Sequence, residues 1–266
     1  MKIAYIGIDF LINTLHVLLK ENCEIIEIFT CKTDNKTEFN TEVIAMAAEL
    51  GVPCRLEPIR REDLRRLKEK GVELIICAGY YHKVPIETFI PIVNVHPALL
   101  PVGRGAWPMP VTILKGLSTS GVTLHKMTEE MDKGDIILKK SFKVDVDENL
   151  RSFMQKVAQA IDELIPILVS DFERLYSMAE PQGDGEYWAM PTEENWTVTP
   201  DMELQEIDRI FRAFYGYECI WKEEGKKYEL IGARISNVKT EQGIFFRKFK
   251  KKYILAEQIM EIENYV

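Results

Sequence analysis

Leu74-Ile75-Ile76-Cys77-Ala78 is an unbroken apolar run without polar alternation, the pattern of a strand buried on both faces. Residues 2–7, 24–31, 54–58 and 92–95 share that character. Between them, residues 11–21, 41–51 and 61–71 read as amphipathic helices, two of them stopped by Gly51 and Gly71. Strand and helix in alternation, with buried-type runs, predict an α/β fold built on a parallel sheet covered on both faces. After residue 96 the chain enters a loop rich in Pro and Gly. A helix near 110–117, strands over 121–127 and 135–143 and a long helix over 148–176 complete a first domain, residues 1–180. Ala179-Glu180-Pro181-Gln182-Gly183-Asp184-Gly185-Glu186 reads as a linker. One helix (204–214) and strands including 228–235 and 253–258 make residues 187–266 a small β-rich C-terminal domain.

Length and composition bound the class. With 266 residues, 46% of them hydrophobic, the chain can build one well-cored domain and a smaller second one. No apolar run approaches the about 20 residues that a membrane helix needs, so no membrane partner is expected. The N-terminus reads as a strand entering a glycine turn, not a signal peptide. Cys23, Cys31, Cys54, Cys77 and Cys219 are scattered singly, an odd set with no Cys-x-x-Cys spacing. That disfavours a disulfide framework or a zinc site and fits a cytoplasmic location. A net charge of −8 argues against a nucleic-acid partner held by bulk electrostatics. The basic run Arg247-Lys248-Phe249-Lys250-Lys251-Lys252 reads as a solvated strand that protects a sheet edge, with a phosphate-binding patch as the alternative.

The chemistry concentrates at Asn94-Val95-His96-Pro97 and at Asp132, 36 residues after His96, in Met131-Asp132-Lys133-Gly134-Asp135. Asn94 and His96 are two residues apart at a strand end and face the same side. Strand C-terminal ends are where open α/β sheets bind ligands. An amide can donate to a developing oxyanion, an imidazole can move a proton, and a carboxylate can orient the ring, a set suited to adding an amine to a carbonyl. Singly, each has a plain structural explanation: a turn cap, a satisfied histidine, an exposed turn. His125 lies close in sequence to Asp132, but no His-x-His or Glu-x-x-His spacing supplies a third metal ligand, so no metal is expected and a second histidine role stays open. Gly7-Ile8-Asp9-Phe10 is not a dinucleotide fingerprint.

Asn94-Val95-His96-Pro97-Ala98-Leu99-Leu100-Pro101, Arg104-Gly105-Ala106-Trp107-Pro108, Gly121-Val122-Thr123-Leu124-His125 and Asp132-Lys133-Gly134-Asp135-Ile136 together resemble the folate-dependent formyltransferase family over roughly residues 1–180. Ala98 stands where the family usually has Ser, and Ser120 where it has Thr. The resemblance implies a Rossmann-like, mostly parallel sheet, with Asn94, His96 and Asp132 catalytic. It implies 10-formyltetrahydrofolate as co-substrate, its pterin between residues 79–85 and 127–131, which marks Tyr81, His82, Lys83, Val84, Met127, Glu130 and Met131 as cofactor-binding. Tyr80 and Tyr81 are equally readable as core and rim aromatics.

The 103–108 loop and the short C-terminal domain look most like sugar-nucleotide N-formyltransferases. Members acting on initiator tRNA are longer, with a more basic C-terminal barrel. That likeness implies a dTDP- or UDP-linked amino sugar as acceptor, in cell-surface polysaccharide biosynthesis, with Arg104, Gly105, Trp107, Trp188 and Tyr217 as substrate-binding residues. Aromatics in a small β domain are more often core, which is the alternative reading of these residues. A methionyl-tRNA formyltransferase, a non-catalytic nucleotide-sugar or folate-binding module and a formyl-folate hydrolase are the rivals. Which amino sugar and nucleotide, whether His96 is base or oxyanion donor, and whether a homodimer forms stay open.

Overall fold

The computed structural model describes residues 1–34, 39–239 and 243–262, which form two compact units. The first comprises Met1–Gly105, Ser120–Phe142 and Lys156–Tyr187; the second comprises Ala106–Thr119, Lys143–Gln155 and the chain from Trp188 onward.

In the first unit a seven-stranded sheet runs in the order β3-β2-β1-β4-β5-β7-β8. Its strands are β1 (Lys2–Gly7), β2 (Glu24–Phe29), β3 (Cys54–Arg55), β4 (Leu74–Ala78), β5 (Ile92–His96), β7 (Thr119–Lys126) and β8 (Ile136–Lys143); a short β6 (Val102–Arg104) lies outside it. Strands β1 to β5 pair in parallel and β7 pairs antiparallel to β5, so the sheet is mostly parallel, as the rhythm of apolar runs predicts. All five residues of β4 are buried, which is what an unalternated run requires.

Helices α1 (Asn13–Lys20), α2 (Thr41–Leu50) and α3 (Arg61–Glu69) connect the first strands. Gly51 ends α2 in the left-handed region at φ 66°, its N–H closing on Ala47 and Ala48 carbonyls. Asp9, just past β1, supplies the cap at the other end: Oδ2 accepts from Glu42 N (2.9 Å) and Oδ1 from Val43 N (2.9 Å). It satisfies two of the amides that a helix start leaves without partners. Leu64 and Leu67 form the buried stripe of α3 against Ile75, Phe29 and Val72.

A carboxylate is buried on β2. Glu27 on β2 is fully buried and accepts from Arg55, from Arg66 and from Lys70 (3.1 Å). Burial favours the neutral carboxyl, but the three cations outweigh it and hold Glu27 below its ordinary range.

Three sequence expectations change at element ends. The long helix expected over 148–176 is two, α5 (Leu150–Ser170) and α6 (Phe172–Ser177), broken at Asp171. The helix expected at 110–117 is α4 (Pro108–Leu114), shifted because Pro108 fits a first helical turn. The segment expected to be a linker is paired instead: Glu180 and Ile136 exchange backbone hydrogen bonds of 2.9 and 2.8 Å, and β9 (Glu186–Tyr187) pairs with β6. Pro and Gly there shape a strap rather than a free connection.

The second unit contains α7 (Glu193–Trp196), β10 (Thr197–Val198), α8 (Leu204–Ala213), β11 (Glu218–Glu223), β12 (Lys226–Ile231), β13 (Arg234–Ser236), β14 (Ile244–Phe249), β15 (Lys252–Ala256) and β16 (Gln258–Ile262). The strands form sheets in the orders β10-β11-β12-β16 and β13-β15-β14 around a fully buried Trp221. The expected strand 228–235 is thus two, parted at Gly232, where φ is 63°. The basic run lies in β14, a sheet edge, and the hairpin after it, where charge discourages further strand pairing. No helix among the described residues is long and apolar enough to cross a membrane.

Candidate active site

Strand β5 delivers Asn94 and His96 to one side, while Val95 between them is buried. The antiparallel register of β5 with β7 sets Asn94 opposite His125 and His96 opposite Thr123. Asn94 Nδ2 is 3.0 Å from His125 Nε2, so the histidine without a sequence-assigned role is a direct neighbour of the amide.

Hydrogen bonding selects the ring tautomers. His96 Nε2 donates to the Gly103 carbonyl at 2.8 Å, leaving Nδ1 bare in the neutral ring and 3.7 Å from Asp132 Oδ1. His125 Nδ1 donates to the Lys126 carbonyl at 2.8 Å, so its Nε2 accepts the Asn94 amide. Asp132 Oδ1 is the point of convergence: Asn94 Nδ2 lies at 3.4 Å and His125 Nε2 at 3.5 Å. Asp132 Oδ2 accepts from Gly105 N at 2.9 Å.

Backbone geometry explains the glycines of these motifs. Asp132 has φ 53°, a left-handed conformation that Asp tolerates better than most residues. A Cβ on Gly134 would lie 1.8 Å from the Lys126 carbonyl oxygen, so only glycine lets the turn pack on β7. A Cβ on Gly121 would lie 2.2 Å from the Lys140 carbonyl oxygen.

The site separates its charges. Burial lowers the His96 pKa, and neighbouring His125 adds to this against the opposing pull of Asp132 and Gly103, so the ring is neutral at pH 7. Burial opposes ionisation of Asp132 as well, but His96, His125 and the Gly105 N–H outweigh it and its carboxyl titrates below its ordinary range. Cys77, opposite Asn94 in the β4–β5 register, is pushed up to about 12 by burial, with Asp132 adding to the shift, and stays a thiol. The arrangement therefore offers an amide donor, a bare ring nitrogen and an ionised carboxylate at one point, the needs of acyl transfer to an amine.

The remaining expected residues divide. Tyr81 is exposed, and Lys83 pairs with Glu129 at 2.5 Å across the two segments expected to flank a pterin. His82 stacks edge-on with Tyr80, ring centroids 5.3 Å apart. Val84 belongs to the core cluster, with Met127 packed against it, so burial takes Val84 off an open binding face. Glu130 pairs with Lys133, and Met131 is exposed beside Tyr187 Oη. Arg104 is buried, with its guanidinium donating to Gln182 Oε1 (3.0 and 3.2 Å) and the Gly183 carbonyl (3.0 Å). Those internal partners occupy the donors expected to face phosphate. In the second unit Trp107 packs edge-on against Tyr217 (5.0 Å) and Phe214 (5.7 Å), while Trp188 is buried with Lys115 Nζ 5.6 Å from its ring. Among the described residues no group of three or more His, Cys, Asp or Glu is placed to hold a metal ion.

A sequence model of the formyl transferase family matches residues 14–169. The chain belongs to the formyl transferase family. It is 28% identical over 256 residues to a methionyl-tRNA formyltransferase of Anaplasma marginale, covering 90% of this chain and 84% of that one. A methionyl-tRNA formyltransferase of Ehrlichia ruminantium is 30% identical over 160 residues, 59% of this chain and 52% of that one. Among solved structures, an N-formyltransferase from Helicobacter canadensis in complex with folinic acid and dTDP-3-aminofucose has a TM-score of 0.68 at 17% identity, covering 96% of this chain and 98% of that one. HypX from Aquifex aeolicus in complex with tetrahydrofolic acid gives a TM-score of 0.74 at 17% identity, with 99% of this chain matched to 44% of that one. This formyltransferase is thus a formyl-transferring enzyme, and formyl-tetrahydrofolate is its family's donor.

A folate analogue should therefore stabilise the protein by mass action, raising the unfolding midpoint in a thermal-shift titration, while EDTA leaves turnover unchanged. Chelator-sensitive turnover restored by zinc would contradict the expectation that no metal takes part.

Proposed function

We propose that this formyltransferase transfers the formyl group of 10-formyltetrahydrofolate to the amine of a dTDP- or UDP-linked amino sugar, in the cytoplasm, with Asn94, His96 and Asp132 as the catalytic set. The observation that carries the chemistry is the convergence of Asn94 Nδ2 and His96 Nδ1 on Asp132 Oδ1, at 3.4 and 3.7 Å. The amine nitrogen attacks the formyl carbon, and the Asn94 amide donates to the oxyanion that forms. With its Nε2–H engaged by Gly103, the neutral His96 ring has Nδ1 as its free proton acceptor, which favours the base over the oxyanion-donor role. The amine proton passes by way of His96 and Asp132 to the departing folate N10 as the carbon–N10 bond breaks. Pterin binding falls to the segments holding Tyr81, His82, Lys83, Met127, Glu130 and Met131, and acceptor binding to Trp107, Trp188 and Tyr217, with Arg104 and Gly105 acting through the Asp132 loop.

A small second unit and a net charge of −8 support a nucleotide sugar, since a nucleotide needs a few aromatic and basic groups whereas tRNA needs an extended basic surface. The near full-length fold match to a protein crystallised with dTDP-3-aminofucose points the same way. The second reading, formylation of methionyl-tRNA, draws on the names of the sequence relatives. The discriminating assay offers both acceptors with 10-formyltetrahydrofolate. A dTDP- or UDP-amino sugar should be formylated, and the nucleoside diphosphate alone should inhibit with little salt dependence. Salt-sensitive formylation of methionyl-tRNA, without response to any nucleotide sugar, would transfer the assignment to the second reading.

A further inference from the structure

We propose that Gln182 is a positioning residue for formyl transfer, holding the Asp132 turn in its left-handed conformation through a strap that closes over the catalytic loops. The inference rests on the reading of Asp132 as catalytic.

The side-chain amide of Gln182 is engaged at both ends. Its Nε2 donates to the Asp132 carbonyl at 2.9 Å and to the Gly134 carbonyl at 2.6 Å, the two peptide oxygens that bracket the turn. Its Oε1 accepts two hydrogen bonds from the buried Arg104. Arg104 leads directly to Gly105, whose N–H donates to Asp132 Oδ2. A closed circuit results, in which Gln182 fixes the backbone of Asp132 while the Arg104–Gly105 segment fixes its carboxylate. Both ends of the Gln182 amide are satisfied within the circuit, as a buried polar network requires if it is to hold one geometry.

The strap is anchored on both sides of Gln182. Upstream, Glu180 exchanges backbone hydrogen bonds with Ile136; downstream, Glu186 and Tyr187 pair with Val102 and Arg104. Between these anchors Gly185 passes so close to the His96 loop that a Cβ there would lie 2.1 Å from the Pro101 carbonyl oxygen. Asp132 needs outside support because φ 53° is costly for a residue with a Cβ, and such conformations persist where surrounding contacts over-determine them. Without the amide donors, the Asp132 and Gly134 carbonyls lose their partners, the turn relaxes, and Oδ1 moves away from Asn94 and His96. A displacement of about 1 Å at a reacting group costs on the order of a hundredfold in rate.

The test uses the full chain. Gln182→Leu removes both ends of the bridge, while Gln182→Glu keeps an oxygen for Arg104 and removes the N–H donors; Asp132→Asn is the reference. Histidine ¹⁵N NMR titration reads whether His96 still senses the carboxylate. Turnover is read with 10-formyltetrahydrofolate and, as acceptor probes, dTDP-3-aminofucose and methionyl-tRNA. Both Gln182 variants should shift the His96 titration in the same direction as Asp132→Asn and lower kcat by about 10- to 100-fold with KM for folate little changed. If the Leu variant fails to fold, the Glu variant carries the same test. A wild-type His96 titration and turnover in the folded Gln182 variants, with Asp132→Asn inactive, overturns the proposal alone. If Asp132→Asn itself changes neither readout, the catalytic reading of Asp132 fails and the proposal falls with it.

Discussion

Asn94→Ala and His96→Ala should each lower formyl-transfer turnover by about 10²- to 10⁴-fold, because a positioned oxyanion donor and a positioned proton acceptor each contribute on that scale. The two losses should not add, since both groups act on one tetrahedral centre. Unfolding midpoints should change far less than turnover, and His96→Gln, which keeps more of the ring's volume, should separate cavity from chemistry. The pH profile carries a further mark. In the proposed mechanism His96 reacts as the neutral ring, and burial lowers its pKa from the ordinary value of about 6.5. Its active form is therefore complete at neutral pH, and kcat/KM should fall only as the pH drops through that lowered value. Asp132, held below its ordinary range, is ionised at neutral pH. Both alanine variants keeping more than about a tenth of wild-type turnover would remove Asn94 and His96 from the catalytic set.

The largest stability effect should come from Glu27→Ala, which we expect to cost about 3–5 kcal/mol in urea-unfolding free energy. The variant takes away the carboxylate that Arg55, Arg66 and Lys70 share and leaves a void where a fully buried side chain stood. Glu27→Met should cost much less. It fills the void, and Arg55 and Lys70, at 45% and 40% side-chain exposure, can turn to water. The folded pKa of Glu27 lies below the unfolded value of about 4.3, so its contribution is fully present above that pH and is lost as the pH falls through the folded pKa. Equal stability of Glu27→Ala and wild type at pH 7 would show that the cluster is a solvated surface network.

The elements near the site were legible because their signals are local. The apolar run of β4, the glycine closing α2 and the two-residue spacing of Asn94 and His96 follow from strand and helix sterics acting over a few residues. The Asp-x-Gly turn was likewise visible as a motif, although the reason for its glycine, contact with the Lys126 carbonyl, was not. Neither the strand pair within 228–235 nor the break at Asp171 had so plain a mark.

Sequence alone determined an α/β architecture, a formyltransferase motif string and the pair Asn94 and His96 on one side of a strand. Tertiary structure decided what surrounds them. His125 becomes a partner of Asn94 through the antiparallel register of β5 and β7, and Gln182 reaches Asp132 from 50 positions along the chain through a segment whose Pro and Gly content resembled a linker. Val84 joins the core, and Arg104 turns its guanidinium inward to Gln182. The physical reason is common to all four. Backbone sterics fix conformation over a few residues, whereas the partner of a buried donor or an apolar side chain is whichever group the packing of distant segments brings within hydrogen-bond or van der Waals distance.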